Sequence, residues 1–411
     1  MSDNPGPRRP AIEVGLRRVP ELDPTAPLPE SDPRLVARIA DEIRATGPMT
    51  FARFMDLALY DPESGYYSRS AGPGDRTTGP GRRGDFLTAP ESHPIFGWAV
   101  ARHLESVWLA LDRPARFVLR EHGAGAGALA AGILDGLRRA GSELLDAVRY
   151  QAIDTSAPRL AALRERLDGL GLADHVDASD DRPATGAILA NELLDALPVH
   201  RVEAAPDGGL LERFVTLEPM ASGKLPTFTT LLGPPSTPDL DARLAGENVA
   251  LQPGQPAEIC LAVDRWVADA AASLDRGELL LIDYGYPAAE LYDPARGSTL
   301  RAYHRHRVHT DPLVAIGRQD LTAHVDLTAV ERAAVAAGLQ SIGRTSQARF
   351  LAALETGAFL VGLQTDQSTT LESYLEARSA LARMLDPRAT GAFTVLGFGR
   401  GVAPEAIHGF G

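Results

Sequence analysis

The run Phe117-Val118-Leu119-Arg120-Glu121-His122-Gly123-Ala124-Gly125-Ala126-Gly127 has the residue types of a ligand cradle. An apolar stretch ends at an acid, glycines follow at every second position, and a helical pattern opens at once. The spacing predicts a strand, a tight turn and a helix. Glycine presents no Cβ to an approaching ligand and tolerates positive φ, and the helix start offers unpaired amides. Such a bend suits a nucleoside-containing ligand at the carboxyl edge of a sheet. A second acidic turn lies in Ile188-Leu189-Ala190-Asn191-Glu192-Leu193-Leu194-Asp195-Ala196-Leu197-Pro198. There a carboxylate can hold an amine or guanidine nitrogen, aim its lone pair and stabilise developing positive charge. Glu192 is the first candidate for that work and Asp195 the second. The plain alternatives are a helix cap for Asp195 and a surface ion pair for Glu192.

The glycine turn alone does not choose its ligand, because Gly123, Gly125 and Ala128 also satisfy a relaxed dinucleotide pattern, G-x-G-x-x-A. Glu121, just before the turn, would oppose a pyrophosphate but suits the cationic amino end of S-adenosylmethionine (SAM). Asp154 ends the next apolar run, where an acid can accept hydrogen bonds from both ribose hydroxyls. These features favour SAM over NAD, with Glu121, Gly123, Gly125, Gly127, Asp154 and Asn191 as cofactor contacts.

The elements that must position these residues follow from the wider pattern. The chain has 411 residues, 44 % of them hydrophobic, enough for one elaborated α/β domain or two packed ones. A formal charge of -13 argues against general nucleic-acid binding. Cys260 is the sole cysteine, which excludes an intrachain disulfide and disfavours a structural zinc site. No apolar run has the length of a membrane helix, so a soluble, cytoplasmic protein is expected. Residues 1–31 read as a proline-rich mobile extension. Residues 32–114 read as a helical region with a glycine-rich loop over 64–92. From Phe117 strands and helices alternate: strands at 117–121, 149–154 and 186–191, helices at 127–140 and 157–168. That rhythm predicts a parallel sheet. Residues 204–258 interrupt it as a β-rich insertion. A helix at 261–275 and a strand at 278–284 resume it, so the core comprises 115–203 and 259–411. A polar loop is expected over 285–319, helices near 326–338 and 367–385, and a last strand at 393–398.

Several ordered motifs resemble one family. Gly84-Asp85-Phe86-Leu87-Thr88-Ala89-Pro90-Glu91 with Phe96-Gly97, the glycine turn, Asn191 to Pro198, and Asp283-Tyr284-Gly285 resemble the MidA-type methyltransferases. Asp320-Leu321-Thr322-Ala323-His324-Val325-Asp326 and Gln347-Ala348-Arg349-Phe350-Leu351 match in the same order. Ala124 departs from the pattern, since many relatives carry proline there. The resemblance implies a class I SAM-dependent methyltransferase fold: a Rossmann-like, seven-stranded sheet with its last strand antiparallel. An N-terminal helical region and the insertion would roof the pocket. Mitochondrial members resemble protein-arginine methyltransferases that assist complex I assembly. For this chain the implied acceptor is a protein arginine or a small molecule.

The resemblance also implies that Thr88 and Glu91 fold over the cofactor. His324 could orient Glu192 or take the proton the acceptor loses, or be a partly buried histidine ahead of an Asp326 helix cap. His304 and His306 share one face of a strand, but three interleaved arginines disfavour a metal, so a basic edge is expected. The partner expectations are a protein or small-molecule methyl acceptor and a homodimer, with neither nucleic acid nor membrane insertion. An NAD-dependent oxidoreductase and a non-catalytic assembly factor are the rival readings.

Overall fold

Apolar runs become buried strands here because helices cover both faces of one sheet. The computed structural model describes residues 27–68, 88–178, 180, 182–219, 225–305 and 307–410. The proline-rich start up to residue 26, the Gly84-to-Leu87 part of the first family motif, and His306 lie outside the described residues.

The main sheet holds β1 (Phe117–His122), β2 (Val148–Ile153), β3 (Ala184–Asn191), β4 (Leu274–Asp283), β5 (Gln340–Ser346) and β6 (Thr394–Arg400). Their spatial order is β5-β6-β4-β3-β1-β2. β1 pairs in parallel with β2 and β3, and β3 with β4, while β6 runs antiparallel between β4 and β5. Outside β2 the seventh position is a single parallel bridge from Val176 to Tyr150. This is the class I methyltransferase sheet, with its outermost strand reduced to one residue.

Strand alternation sends side chains to two cores. Phe117, Leu119, Tyr150, Leu189, Leu280 and Ile282 pack on one face with helix α3 (Ile95–Ala110) and helix α4 (Ala128–Ala140). Ile188, Leu279, Leu281 and Phe398 pack on the other with Ala262–Ala272 and Leu327–Ala336. α3 and α4 meet backbone to backbone. A Cβ on Gly97 would stand 2.5 Å from Gly132 Cα, so the crossing admits only glycine. This contact seats the helix that starts at the glycine turn.

Over the carboxyl edge lies a third core. It joins helix α1 (Pro33–Thr46) and helix α2 (Phe51–Tyr60) to Val215, Phe228, Leu300, Ala302 and Leu321. Asp32 caps α1, accepting from the Arg34 and Leu35 amides at 3.0 and 3.3 Å. Residues 200–259 form strands His200–Ala204, Leu210–Leu217, Phe228–Gly233 and Pro256–Ile259, joined by Met49–Thr50 into one sheet. Helix Asp239–Gly246 interrupts them.

The structure corrects two expectations and adds a strand. The 285–319 stretch is not a plain loop: Arg301–His304 pairs with Arg307–His309 and Asp320–Thr322, closing a small sheet. The helix expected from 367 starts at Leu371, where Thr370 caps it, and Gly357–Thr365 forms a separate helix before it. β5 had no sequence signal, because Gln340-Ser341-Ile342-Gly343-Arg344-Thr345-Ser346 is a polar edge strand that buries little.

Gly97→Val is expected to lower the unfolding free energy by about 1–3 kcal/mol through overpacking at the α3–α4 crossing. Gly169→Ala, which would meet nothing within 4 Å, should change it by less than about 1 kcal/mol. Urea denaturation of both variants checks this.

Candidate active site

Three strand ends converge on one cavity of about 560 Å³ at the carboxyl edge. β1 delivers Glu121, His122 and the glycine turn. β2 delivers Ile153 and Asp154, and β3 delivers Asn191 and Glu192. Thr88, Pro90 and Glu91 close one side, while Asp56, Tyr60 and Tyr67 of the roof close another.

The turn is a left-handed staircase. Gly123, Gly125 and Gly127 have φ of +70°, +54° and +76°, a region that side chains other than glycine rarely adopt. Gly123 N–H donates to Ile153 O at 2.8 Å, and Gly125 N–H donates to Asp154 Oδ2 at 2.9 Å. Ser156 N–H donates to Asp154 Oδ1 at 2.8 Å. Asp154 therefore ties the turn to β2, and each oxygen keeps a lone pair for a ligand. A Cβ on Gly125 would meet only Gly123 O, at 3.9 Å, leaving that backbone open. Gly127 plays a different part: it is not in the cavity lining, and its Cβ would strike Leu163 Cγ at 2.6 Å. Its smallness serves packing of the next helix.

Glu121 is buried beneath this turn, 4 % exposed. The Tyr150 hydroxyl donates to Glu121 Oε2 at 2.6 Å. Burial pushes the carboxyl up to about 8; the tyrosine pulls it back and Asp154 adds to the rise. Arg120 cannot neutralise it, because it points to the other face and donates to Gln151, Asp180 and backbone carbonyls. Burial thus favours the protonated form of this acid, and a cation beside it would favour the charged one.

Glu192 sits just past β3 with φ +52°, a strained value for a side-chain-bearing residue. Its N–H donates to Ile282 O at 2.8 Å, and Asn191 Nδ2 donates to Glu192 Oε1 at 3.1 Å. Burial and the neighbouring Asp195 push Glu192 up to about 8, while Asn191 and the Ala89 amide restrain it. Among the described residues Asn191 Oδ1 and His122 Nε2 are buried without hydrogen-bond partners, and both stand at the same edge.

Asp195 and His324 do not reach the cavity lining. Asp195 is buried behind the turn, where burial raises it to about 6 and its carboxyl pairs with the Tyr284 hydroxyl. His324 lies between the rings of Tyr284 and Tyr286, with centroids at 5.4 and 5.5 Å. Burial and the charges of Arg296 and Arg301 push His324 down to about 4, so it is neutral and poorly suited to receive a proton. Asp326 Oδ1 accepts from Ala329 N–H at 3.0 Å, an ordinary helix cap.

Sequence reasoning missed Asp56, Tyr60, Tyr67, His122, Arg159 and Trp266. The tyrosine rings stack at 5.5 Å with 22° between planes. The Tyr60 hydroxyl donates to Ala196 O at 3.0 Å, and the Tyr67 hydroxyl donates to Asp320 Oδ1 at 2.8 Å. The Arg159 guanidinium lies 5.2 Å from the Tyr67 ring centre. Glu91 meets Arg166 at 3.7 Å. Among the described residues no group of histidines, cysteines and acids could hold a metal ion, and no helix is long and apolar enough to cross a membrane.

Residues 99–345 match the family described as "Putative S-adenosyl-L-methionine-dependent methyltransferase". The chain belongs to this family. A Burkholderia thailandensis protein whose crystal structure holds S-adenosyl-homocysteine is 34 % identical, with a TM-score of 0.80 over 92 % of this chain and 96 % of that one. The mouse protein named protein arginine methyltransferase NDUFAF7, mitochondrial, is 30 % identical over 75 % of this chain and 71 % of its own. Its Drosophila melanogaster homologue is 29 % identical over 86 % and 83 %. The protein is a SAM-dependent methyltransferase, and the residues present fit the cofactor. The open glycine backbone, the uncompensated Glu121 carboxyl and the free lone pairs of Asp154 suit a cationic nucleoside.

The raised carboxyls make a signed prediction. Between the ordinary carboxylate range and about pH 8 Glu121 and Glu192 hold more protons in the folded, ligand-free protein than in the unfolded chain, so their contribution to stability falls as pH rises. The Tm should decline from pH 6 to 8.5, and Glu121→Gln should flatten that decline. A second test is Asp154→Ala, expected to weaken SAM binding by about 1–3 kcal/mol in calorimetry.

Proposed function

We propose that this methyltransferase delivers its methyl group to a nitrogen nucleophile, a protein arginine. The observation that carries the reading is the composition of the cavity lining. Glu192 shares it with Asp56 and the tethered rings of Tyr60 and Tyr67. Carboxylates and aromatic faces are the groups that attract a guanidinium. Arg159, already near the Tyr67 ring, illustrates that affinity within the chain itself. The names of the mouse and fly relatives, protein arginine methyltransferases, support the same acceptor.

Bound SAM supplies an electrophilic methyl group on a sulfonium. The chain's own task is to place a nitrogen lone pair in line with that methyl and to receive its proton. Glu192 is suited to both. Its raised affinity for protons makes it a stronger base than a solvated carboxylate once it is ionised, and its partly buried setting strengthens its hold on a cation. The stacked rings of Tyr60 and Tyr67, fixed by their hydroxyls, would border the planar guanidinium with aromatic surface.

Glu192→Gln should lower kcat by about 10²–10³-fold while leaving the SAM dissociation constant within about threefold, the signature of a group acting mainly in the transition state. Equal loss of both would remove Glu192 from this role. Labelled SAM offered with matched arginine and lysine peptides tests the acceptor. Label confined to arginine is expected, and label on lysine, or on small molecules of a cell extract instead of proteins, would refute the arginine assignment.

A further inference from the structure

Three consecutive amides of the acidic turn point at one oxygen. The N–H groups of Leu193, Leu194 and Asp195 donate to Asp283 Oδ2 at 3.1, 2.8 and 3.3 Å. Asp283 Oδ1 accepts from the Tyr284 N–H at 2.8 Å. Asp283 is buried, 4 % exposed, and closes β4 directly beside β3. It does not line the cavity.

The position of this carboxylate matters because of what stands between its contacts and the sheet. On the near side of Glu192, Asn191 is in register with Ile282, and the Glu192 N–H donates to Ile282 O at 2.8 Å. On the far side, the next three amides are gathered by Asp283. Glu192 is thus held from both directions by the end of one neighbouring strand, and its left-handed backbone is the link between the two holds. A strained φ persists only where the surroundings over-determine it. Without the clamp the turn could relax toward an ordinary helical or extended backbone, swinging the Glu192 side chain off its line into the cavity.

A buried carboxylate is an expensive way to tie a turn, since burial opposes its ionisation. The four donors work against that cost only while the turn keeps this shape, and burial with the neighbouring Asp195 still holds the carboxyl well above its usual range. The Tyr284 hydroxyl meanwhile pairs with Asp195, fixing the last residue of the clamped trio from its side chain as well.

We propose that Asp283 is a positioning residue for Glu192, gathering three backbone amides so that the Glu192 carboxyl stays aimed into the cavity. The inference rests on the role of Glu192 given above, and a double-mutant cycle on the full-length protein separates the two. Turnover with labelled SAM and SAM affinity by calorimetry are measured for Asp283→Asn, Glu192→Gln and the double variant. Asp283→Asn should lower kcat by about 10–100-fold, the scale of a slightly misplaced catalytic group, with SAM affinity within about threefold. The double variant should be no slower than Glu192→Gln alone, because the clamp acts only through the glutamate. Losses that multiply in the double variant, or full turnover in Asp283→Asn beside a crippled Glu192→Gln, would overturn the inference. If Glu192→Gln itself is harmless, the Glu192 reading fails and the inference with it. Should Asp283→Asn not fold, Asp283→Glu enters the same cycle, since it keeps the charge but moves the accepting oxygen.

Discussion

Burial of carboxyl groups at the end of the sheet is the constraint on which this molecule turns. Glu121, Asp195 and Asp283 are each under 10 % exposed, and Glu192 is partly buried beside them. Desolvation disfavours their charged forms, and Arg120, the cation nearest in sequence to Glu121, is engaged on the opposite face. Different devices answer the cost at each acid. Asp283 is satisfied by backbone amides, Asp195 by a tyrosine, and Glu121 by a tyrosine alone. What remains unsatisfied faces the cavity. A site of that kind opposes the added negative charge of a diphosphate, while a bound cation would favour the ionised carboxyls. The family to which the chain belongs uses a cationic cofactor, and the proposed guanidinium would meet the same demand on the acceptor side.

The fold supplies the edge at which these acids meet. In an open α/β sheet the strands' carboxyl ends, where neighbouring crossovers diverge, leave a crevice. Here β1, β2 and β3 each end in the residues that line it, and β4 ends in Asp283, which shapes the turn behind them. The glycine crossing of α3 and α4 fixes the helix that follows the turn. The roof core of α1, α2 and the inserted sheet then carries Asp56, Tyr60 and Tyr67 across the opening. The sheet thus supplies the carboxyls and the glycine backbone of the lining, and the roof supplies its tyrosine rings.

That division explains what could be read from sequence. Glu121, Gly123, Gly125, Asp154, Asn191 and Glu192 line the cavity, and each closes or follows an apolar run, so local pattern alone locates them. Tyr60 and Tyr67 arrive from a helix end and a turn whose place depends on long-range packing, and no spacing announces them. Gly127 lies in the same motif as its neighbours, yet Leu163, from the next helix, decides its role. Asp195 and His324 belong to conspicuous polar segments, but Asp195 turns behind the clamp and His324 lodges between two tyrosines. β5 was invisible because an edge strand with no fully buried residue carries no apolar alternation.

A cation bound beside these buried acids should draw them into their ionised form, Glu121 first among them. Calorimetry of SAM binding at pH 7 in buffers of differing ionisation enthalpy counts the protons exchanged. The account predicts net proton release approaching one per site, lost in Glu121→Gln. Proton uptake, or release unchanged by that substitution, would contradict it.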